Sequence, residues 1–334
     1  MTPQTSNILF VDDEPMILSS LNMLFKRHYK VFMAENGFAA LDIIRSVPIK
    51  VIISDQRMPG MLGHELLREV KELSPNTVRM LLTGYSDLDA IIGSVNAGEI
   101  FRFINKPWQS DFMLHVVKLG VDIYDKITNL QVQELSKEAV TTEGEPASGR
   151  SVHIEVEEEN SRVMFIDYNE EQTNNLIDKF QHAYDVVGVN SVDDAFAQLA
   201  KKPVSVIVSN VSFGEVDGIS FLDTIRREYP NIVTVILTEV RDATLAIRSI
   251  NELNVFRYLV RPAQEQQIEK TLQMAVERSK AYQKDPSRNV RQTAEKISPA
   301  TFSSPPDESS LRLRLRAAQA LLAKSKLKDK LNSN

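Results

Sequence analysis

Five residues have types and spacings suited to one kind of chemistry. Asp12 and Asp13 follow the run NILFV, Asp55 closes KVIIS, Thr83 closes VRMLL, and Lys106 follows IFRFI. If these run ends converge, three carboxylates share one pocket. Two like charges about 4 Å apart repel by ~4 kcal/mol at an effective dielectric of 20, so something must offset them. Hard oxygen ligands with room for water suit Mg²⁺. Lys106 adds a positive point charge, and Thr83 a hydroxyl donor. The set would hold a transferring phosphoryl group, with metal and ammonium neutralising its oxygens while one carboxylate attacks. Gly84 leaves the space beside Thr83 open.

The convergence depends on the elements that carry these residues. NILFV, KVFMA, KVIIS, VRMLL and IFRFI are short, continuous runs rich in β-branched or aromatic residues, as expected of strands buried on both faces. Between them apolar residues recur at helical spacing: Ile17, Leu21, Leu24 and Phe25 in one stretch, Phe112, Val116, Leu119 and Ile123 in another. Alternating strands and helices predict an α/β fold with a doubly wound parallel sheet. Such sheets place their sites at the carboxyl ends of the strands, where all five residues fall.

The pattern recurs once. NILFVDDEPMIL (7–18) aligns with RVMFIDYNEEQT (162–173), and KVIISDQRMPGMLGHELL (50–67) with SVIVSNVSFGEVDGISFL (205–222). Residues 79–91 align with 234–246, and GEIFRFINKPWQ (98–109) with LNVFRYLVRPAQ (253–264). The offset is 155 throughout, without gaps, so the chain holds two copies of one fold. Asp167 and Thr238 stand at the positions of Asp12 and Thr83. Asp13 is matched by Tyr168, Asp55 by Asn210, Gly84 by Glu239 and Lys106 by Arg261. An amide is no nucleophile for phosphoryl transfer, and one carboxylate is a poor Mg²⁺ site. The second copy is therefore expected to fold without the first copy's chemistry, with Arg261 pairing Asp167.

VDDEP, SDQRMPGMLG, LLTG and INKPW, spread over residues 6–125, resemble the receiver domain of two-component response regulators, the CheY-like superfamily. The stretch LLTGYSDLDAIIGSVNAGEIFRFINKPW further resembles receivers that precede HD-GYP phosphodiesterase domains. The resemblance implies two flavodoxin-like (βα)5 domains, with Asp55 as phosphoacceptor. It implies Mg²⁺ held by Asp13, Asp55 and the Arg57 carbonyl, with Asp12 acting through water. It puts Thr83 and Lys106 on the phosphoryl group and Phe103 at the aromatic switch position. Readout would come from the face built by residues 87–125. Residues 162–280 resemble a pseudo-receiver, in which Asp167, Tyr168, Asn210, Thr238 and Arg261 are the degenerate equivalents.

Composition narrows the alternatives. The 334 residues suit about two domains. The absence of cysteine removes disulfides, thiolate metal sites and a cysteine nucleophile. Five histidines make a multi-histidine metal enzyme hard to build, and none is followed by Asp, so an HD-GYP motif is absent. The 12 glycines include no phosphate-binding Gly-rich loop. His64-Glu65 begins a string like HExxH, but Arg68 stands where the second histidine is needed. No apolar run reaches the roughly 20 residues of a membrane span, and no signal peptide is evident. A soluble, cytoplasmic protein is expected.

Net charge is −6, but unevenly spread. Residues 126–161 carry three basic against eight acidic side chains, and 311–334 seven against one. Residues 126–161 read as a helical extension running into an acidic flexible linker, with pairing of that helix in a homodimer as one option. Residues 281–334 read as a disordered tail with a basic helix over 311–331, presenting Leu311, Leu315, Ala318 and Leu322 on one face. An acidic body argues against a dedicated nucleic-acid-binding domain. The expected function is a non-enzymatic response regulator. A histidine kinase or phosphotransfer protein phosphorylates it, and it signals to an unidentified protein target with no enzymatic or DNA-binding output domain. Alternatives are a phosphate sink, with Arg57 and Tyr85 tuning autodephosphorylation, and a nucleic-acid regulator acting through the basic tail.

Overall fold

The computed structural model describes residues 6–84, 91–93, 96, 100–141, 161–167, 169–213, 216–289, 311 and 313–320. In the first repeat the order is β1 (Asn7–Val11), α1 (Pro15–Phe25), β2 (Lys30–Ala34), α2 (Gly37–Ser46), β3 (Val51–Asp55), α3 (Gly63–Leu73) and β4 (Val78–Thr83). Helical residues 91–93 and 96 follow, then β5 (Arg102–Asn105) and α4 (Ser110–Thr141). The sheet order is β2-β1-β3-β4-β5, and β1 runs parallel to β2 and β3, as β3 does to β4. Ile8, Leu9, Phe10, Ile52 and Ile53 have no exposed surface, as expected of strands covered on both faces. Local chemistry starts the helices: Pro15 occupies the first position of α1, and Asn36 accepts the Ala39 N–H at 2.9 Å to cap α2.

The second repeat follows the same plan. It comprises β6 (Arg162–Ile166), α5 (Glu170–Phe180), β7 (Asp185–Val189), α6 (Val192–Lys201), β8 (Val206–Ser209), α7 (Gly218–Glu228), β11 (Val233–Thr238), α8 (Ala243–Leu253), β12 (Arg257–Val260) and α9 (Glu265–Lys284). Its sheet order, β7-β6-β8-β11-β12, repeats the first. Alternate strand residues Val163, Phe165, Val206, Val208 and Val235 pack on Ile268, Leu272, Ala275 and Val276 of α9. Elsewhere in the repeat Phe196 of α6 meets Phe221 of α7, with ring centroids 5.3 Å apart. The repeat adds a two-stranded antiparallel hairpin, β9 (Ser212–Phe213) and β10 (Val216–Asp217). The peptides Lys106–Pro107 and Arg261–Pro262 are both cis.

Helix α4 runs on to Thr141, over the stretch read as a helical extension; residues 142–160, with the acidic linker, lie outside the described residues. Helix α9 ends at Lys284, past the expected boundary at 280, and Pro286–Arg288 form a 3-10 turn. In the tail, residues 311 and 313–320 are helical, and Leu311 and Leu315 are buried. Arg314 pairs with Asp193 at 3.0 Å, and Gln319 donates to the Tyr229 hydroxyl at 2.9 Å. This part of the tail is a packed helix within the stretch read as a basic helix; Leu322 lies outside the described residues. The chain forms two compact units, and residues 84–103 group with 160–289 rather than with the rest of the first repeat. No helix among the described residues is long and apolar enough to cross a membrane.

Tyr258, on β12, has no exposed surface, and its hydroxyl donates to the Val240 carbonyl at 3.3 Å. Burial, aided by the charge of Asp242, pushes its pKa up from 10 to about 12. The native state then holds a proton that the unfolded chain releases. Its contribution to stability is whole below pH 10 and is lost as pH rises from 10 towards about 12. Stability of a Tyr258→Phe variant, followed by urea unfolding from pH 9 to 12, should fall less steeply with pH than that of the native chain.

Candidate functional site

In the first repeat the carboxyl ends of the strands deliver four of the five expected residues to a buried or half-buried position. Asp12 leaves β1 with its N–H on the Ala34 carbonyl, at 3.2 Å, and accepts the Glu14 N–H at 2.9 Å. Asp55 ends β3 and accepts the Arg57 N–H at 2.7 Å. The Lys106 N–H reaches back to the Thr83 carbonyl at 3.0 Å, tying the residue after β5 to the end of β4. The Lys106 ammonium then bridges both carboxylates, 2.5 Å from Asp55 and 3.1 Å from Asp12. Burial opposes its charge, but hydrogen bonds and the charges of Asp55 and Asp12 outweigh that, so the Lys106 pKa lies above the ordinary lysine value.

Asp12 is 1% exposed and Asp55 7%. Two carboxylates so placed need the cation between them. Asp13 is exposed, and the arrangement differs here from three carboxylates gathered in one pocket. Among the described residues no three His, Asp or Glu side chains gather closely enough to hold a metal ion: Lys106 joins Asp12 and Asp55, and Asp13 stays exposed. The donor set still fits Mg²⁺: hard carboxylate oxygens at Asp12, Asp13 and Asp55, next to a lysine that can exchange partners. The Thr83 hydroxyl is buried and has no hydrogen-bond partner among the described residues, which leaves it placed to donate to an arriving oxygen. A Cβ added at Gly84 would meet nothing within 4 Å among the described residues. Arg57 itself is exposed, and Phe103 is buried.

The loop after β3 is held by contacts that sequence patterns did not single out. Gln56 bonds the His64 ring at 2.8 Å and accepts the His64 N–H at 3.2 Å, while Glu65 accepts the Leu62 N–H at 2.9 Å. The His64-Glu65 pair thus starts α3. A side chain at Gly63 would overlap the Asp55 carbonyl, and one at Gly218 the Val211 carbonyl. Glycine at these matched positions lets the helix start close against the strand end.

In the second repeat the same backbone links recur: the Asp167 N–H on the Val189 carbonyl at 3.2 Å, and the Arg261 N–H on the Thr238 carbonyl at 2.8 Å. The side chains close on one another. Arg261 pairs with buried Asp167 at 2.8 Å and reaches Glu239 at 3.4 Å, which also accepts from Gln172 at 2.9 Å. Asn210 accepts both the Val211 N–H at 2.8 Å and the Thr238 hydroxyl at 2.7 Å. The hydroxyl left open in the first repeat is therefore satisfied in the second. Tyr168 and Tyr85 lie outside the described residues.

The chain matches the family described as "Response regulator receiver domain" over residues 8–118 and again over 163–273. It is 34% identical over 122 residues to the hydrogenase transcriptional regulatory protein HoxA of Cupriavidus necator, a match covering 36% of this chain and 25% of the relative. The chain thus spans about a quarter of that relative's length. It is 37% identical over 112 residues to sporulation initiation phosphotransferase F of Bacillus subtilis, covering 33% of this chain and 90% of the relative. Among solved structures, the signal receiver domain of an HD domain-containing protein from Pseudomonas fluorescens Pf-5 is 30% identical. It covers 39% of this chain and 96% of that one, with a TM-score of 0.37.

Proposed function

Because the chain belongs to the response regulator receiver family through both of its repeats, we propose that the first repeat accepts a phosphoryl group on Asp55 and the second accepts none. The supporting observation is the contrast between the matched sites. Around Asp55, a lysine spans two carboxylates and a buried threonine hydroxyl has no partner among the described residues. Around Asn210, the hydroxyl is already engaged, and the cation pairs with Asp167 and Glu239 instead of the acceptor position.

The donor is a histidine kinase or phosphotransfer protein carrying phosphohistidine. A carboxylate oxygen of Asp55 attacks phosphorus; the P–N bond breaks as the P–O bond forms, and the imidazole leaves with the electron pair. Lys106 shifts its ammonium from the Asp55 carboxylate to a phosphoryl oxygen, and the Thr83 hydroxyl donates to another. Asp12, Asp13 and Asp55, with the Arg57 carbonyl, would hold Mg²⁺, which neutralises phosphoryl oxygens when bound. The new charge, near two units, then biases the segment between Thr83 and Lys106 and changes what that segment binds. The chain acts as a binding switch, and catalysis is limited to its own phosphorylation and dephosphorylation.

Acetyl phosphate with Mg²⁺ tests this. The native chain should be retarded on a phosphate-affinity gel, and Asp55→Asn should abolish the retarded band. A band that survives Asp55→Asn would refute the assignment.

A further inference from the structure

Two asparagines stand at matched positions, Asn96 and Asn251, separated by the repeat offset of 155. Each grips the backbone of one residue on an edge strand. The Asn96 amide accepts the Tyr258 N–H at 2.9 Å and donates to the Tyr258 carbonyl at 2.8 Å. The Asn251 amide accepts the Phe103 N–H at 3.0 Å and donates to the Phe103 carbonyl at 2.9 Å. Phe103 and Tyr258 are themselves matched at the same offset, and both side chains are buried. Strands β5 and β12 are terminal in their sheets, so these N–H and C=O groups would otherwise be open edges. All four residues lie in the compact unit formed by 84–103 and 160–289.

We infer that the second repeat is the built-in partner of residues 84–103, held by a reciprocal asparagine latch that phosphorylation of Asp55 loosens. The coupling half rests on the phosphoacceptor reading above. The gripped segment runs between Thr83 and Lys106, the two residues that must move onto a phosphoryl group, and their backbones are bonded to each other at 3.0 Å. A two-point amide grip works in one register only, since both its donor and its acceptor must meet the same residue. Moving Lys106, three residues beyond Phe103, therefore bears directly on the pair of bonds that Asn251 makes. Linkage makes the effect mutual: a latch that favours the unphosphorylated state must lower the site's affinity for a phosphoryl mimic, and breaking it must raise that affinity by the same factor. This gives the second repeat a role that needs no phosphoryl chemistry of its own.

The test uses the full chain, with beryllofluoride and Mg²⁺ as the phosphoryl mimic. Trp108, the only tryptophan, lies two residues from Lys106 and reports loading by fluorescence. Hydrogen exchange reports the latch. In the native chain the Phe103 and Tyr258 amides should be protected. Asn251→Ala should speed exchange at Phe103 about tenfold, and Asn96→Ala should do so at Tyr258. Asn251→Asp, which keeps the shape but loses the donor, should match the alanine variant. Beryllofluoride should speed both amides in the native chain, and the double alanine variant should bind it about tenfold more tightly. Unchanged exchange in the variants overturns the latch. Unchanged mimic affinity in a double variant whose Trp108 signal shows loading overturns the coupling. Protection that appears only with rising protein concentration places the grip between chains and overturns the intramolecular partner. If the native chain does not bind the mimic, the phosphoacceptor reading and the coupling fail together, while the exchange results still decide the latch.

Discussion

An Arg261→Ala variant is expected to lose about 3 kcal/mol of unfolding free energy. The Asp167 side chain is 3% exposed and that of Arg261 14%, with 2.8 Å between charged atoms. Removing the guanidinium leaves a carboxylate inside the protein, with the Asn169 N–H at 3.2 Å on its other oxygen. A buried charge without its partner is among the few defects that large. The arm to Glu239 adds little, because that carboxylate is 45% exposed. Urea unfolding measures the loss. Adding Asp167→Asn to the variant should recover much of it, since the charge then leaves with its partner. An unchanged midpoint in Arg261→Ala would show that the ion pair does not hold the second repeat together.

Lys106→Ala should act on stability and on chemistry. Without Mg²⁺ it leaves Asp12 and Asp55 facing each other with no cation between them. The expected loss is about 2 kcal/mol, less than for Arg261 because the lysine side chain is 27% exposed. Added Mg²⁺ should restore stability to Lys106→Ala more than it stabilises the native chain, since a divalent cation takes over the ammonium's place. Phosphorylation by acetyl phosphate should still slow about a hundredfold, because a preorganised positive donor to the phosphoryl oxygens is gone. Equal Mg²⁺ responses in both proteins would show that the ion does not settle on these carboxylates.

The fold was legible because its signal is periodic. Runs such as NILFV and KVIIS are apolar throughout, as buried parallel strands must be, and the constant offset of 155 made each copy a check on the other. The polar site was legible in type but not in arrangement. Asp12, Asp55, Thr83 and Lys106 sit at strand ends as expected, yet which carboxylates the lysine engages depends on distances that spacing does not carry. Asn96 and Asn251 were missed because a single amide on a helix has no period, and its partner strand lies about 150 residues away. The hairpin of β9 and β10 was missed because two-residue strands are too short to show alternation. The stripe of Leu311 and Leu315 was visible, but the contacts that bury it, with Asp193 and Tyr229, are remote in sequence.

The central claim is that two copies of one fold divide into one that carries the phosphoryl group and one that does not. Mass spectrometry of the native chain after acetyl phosphate and Mg²⁺ tests it most directly. The expected result is a single phosphoryl group, mapped to Asp55 and released by hydroxylamine. A phosphoryl group mapped to residues 162–280, or a chain that takes up none, would contradict it.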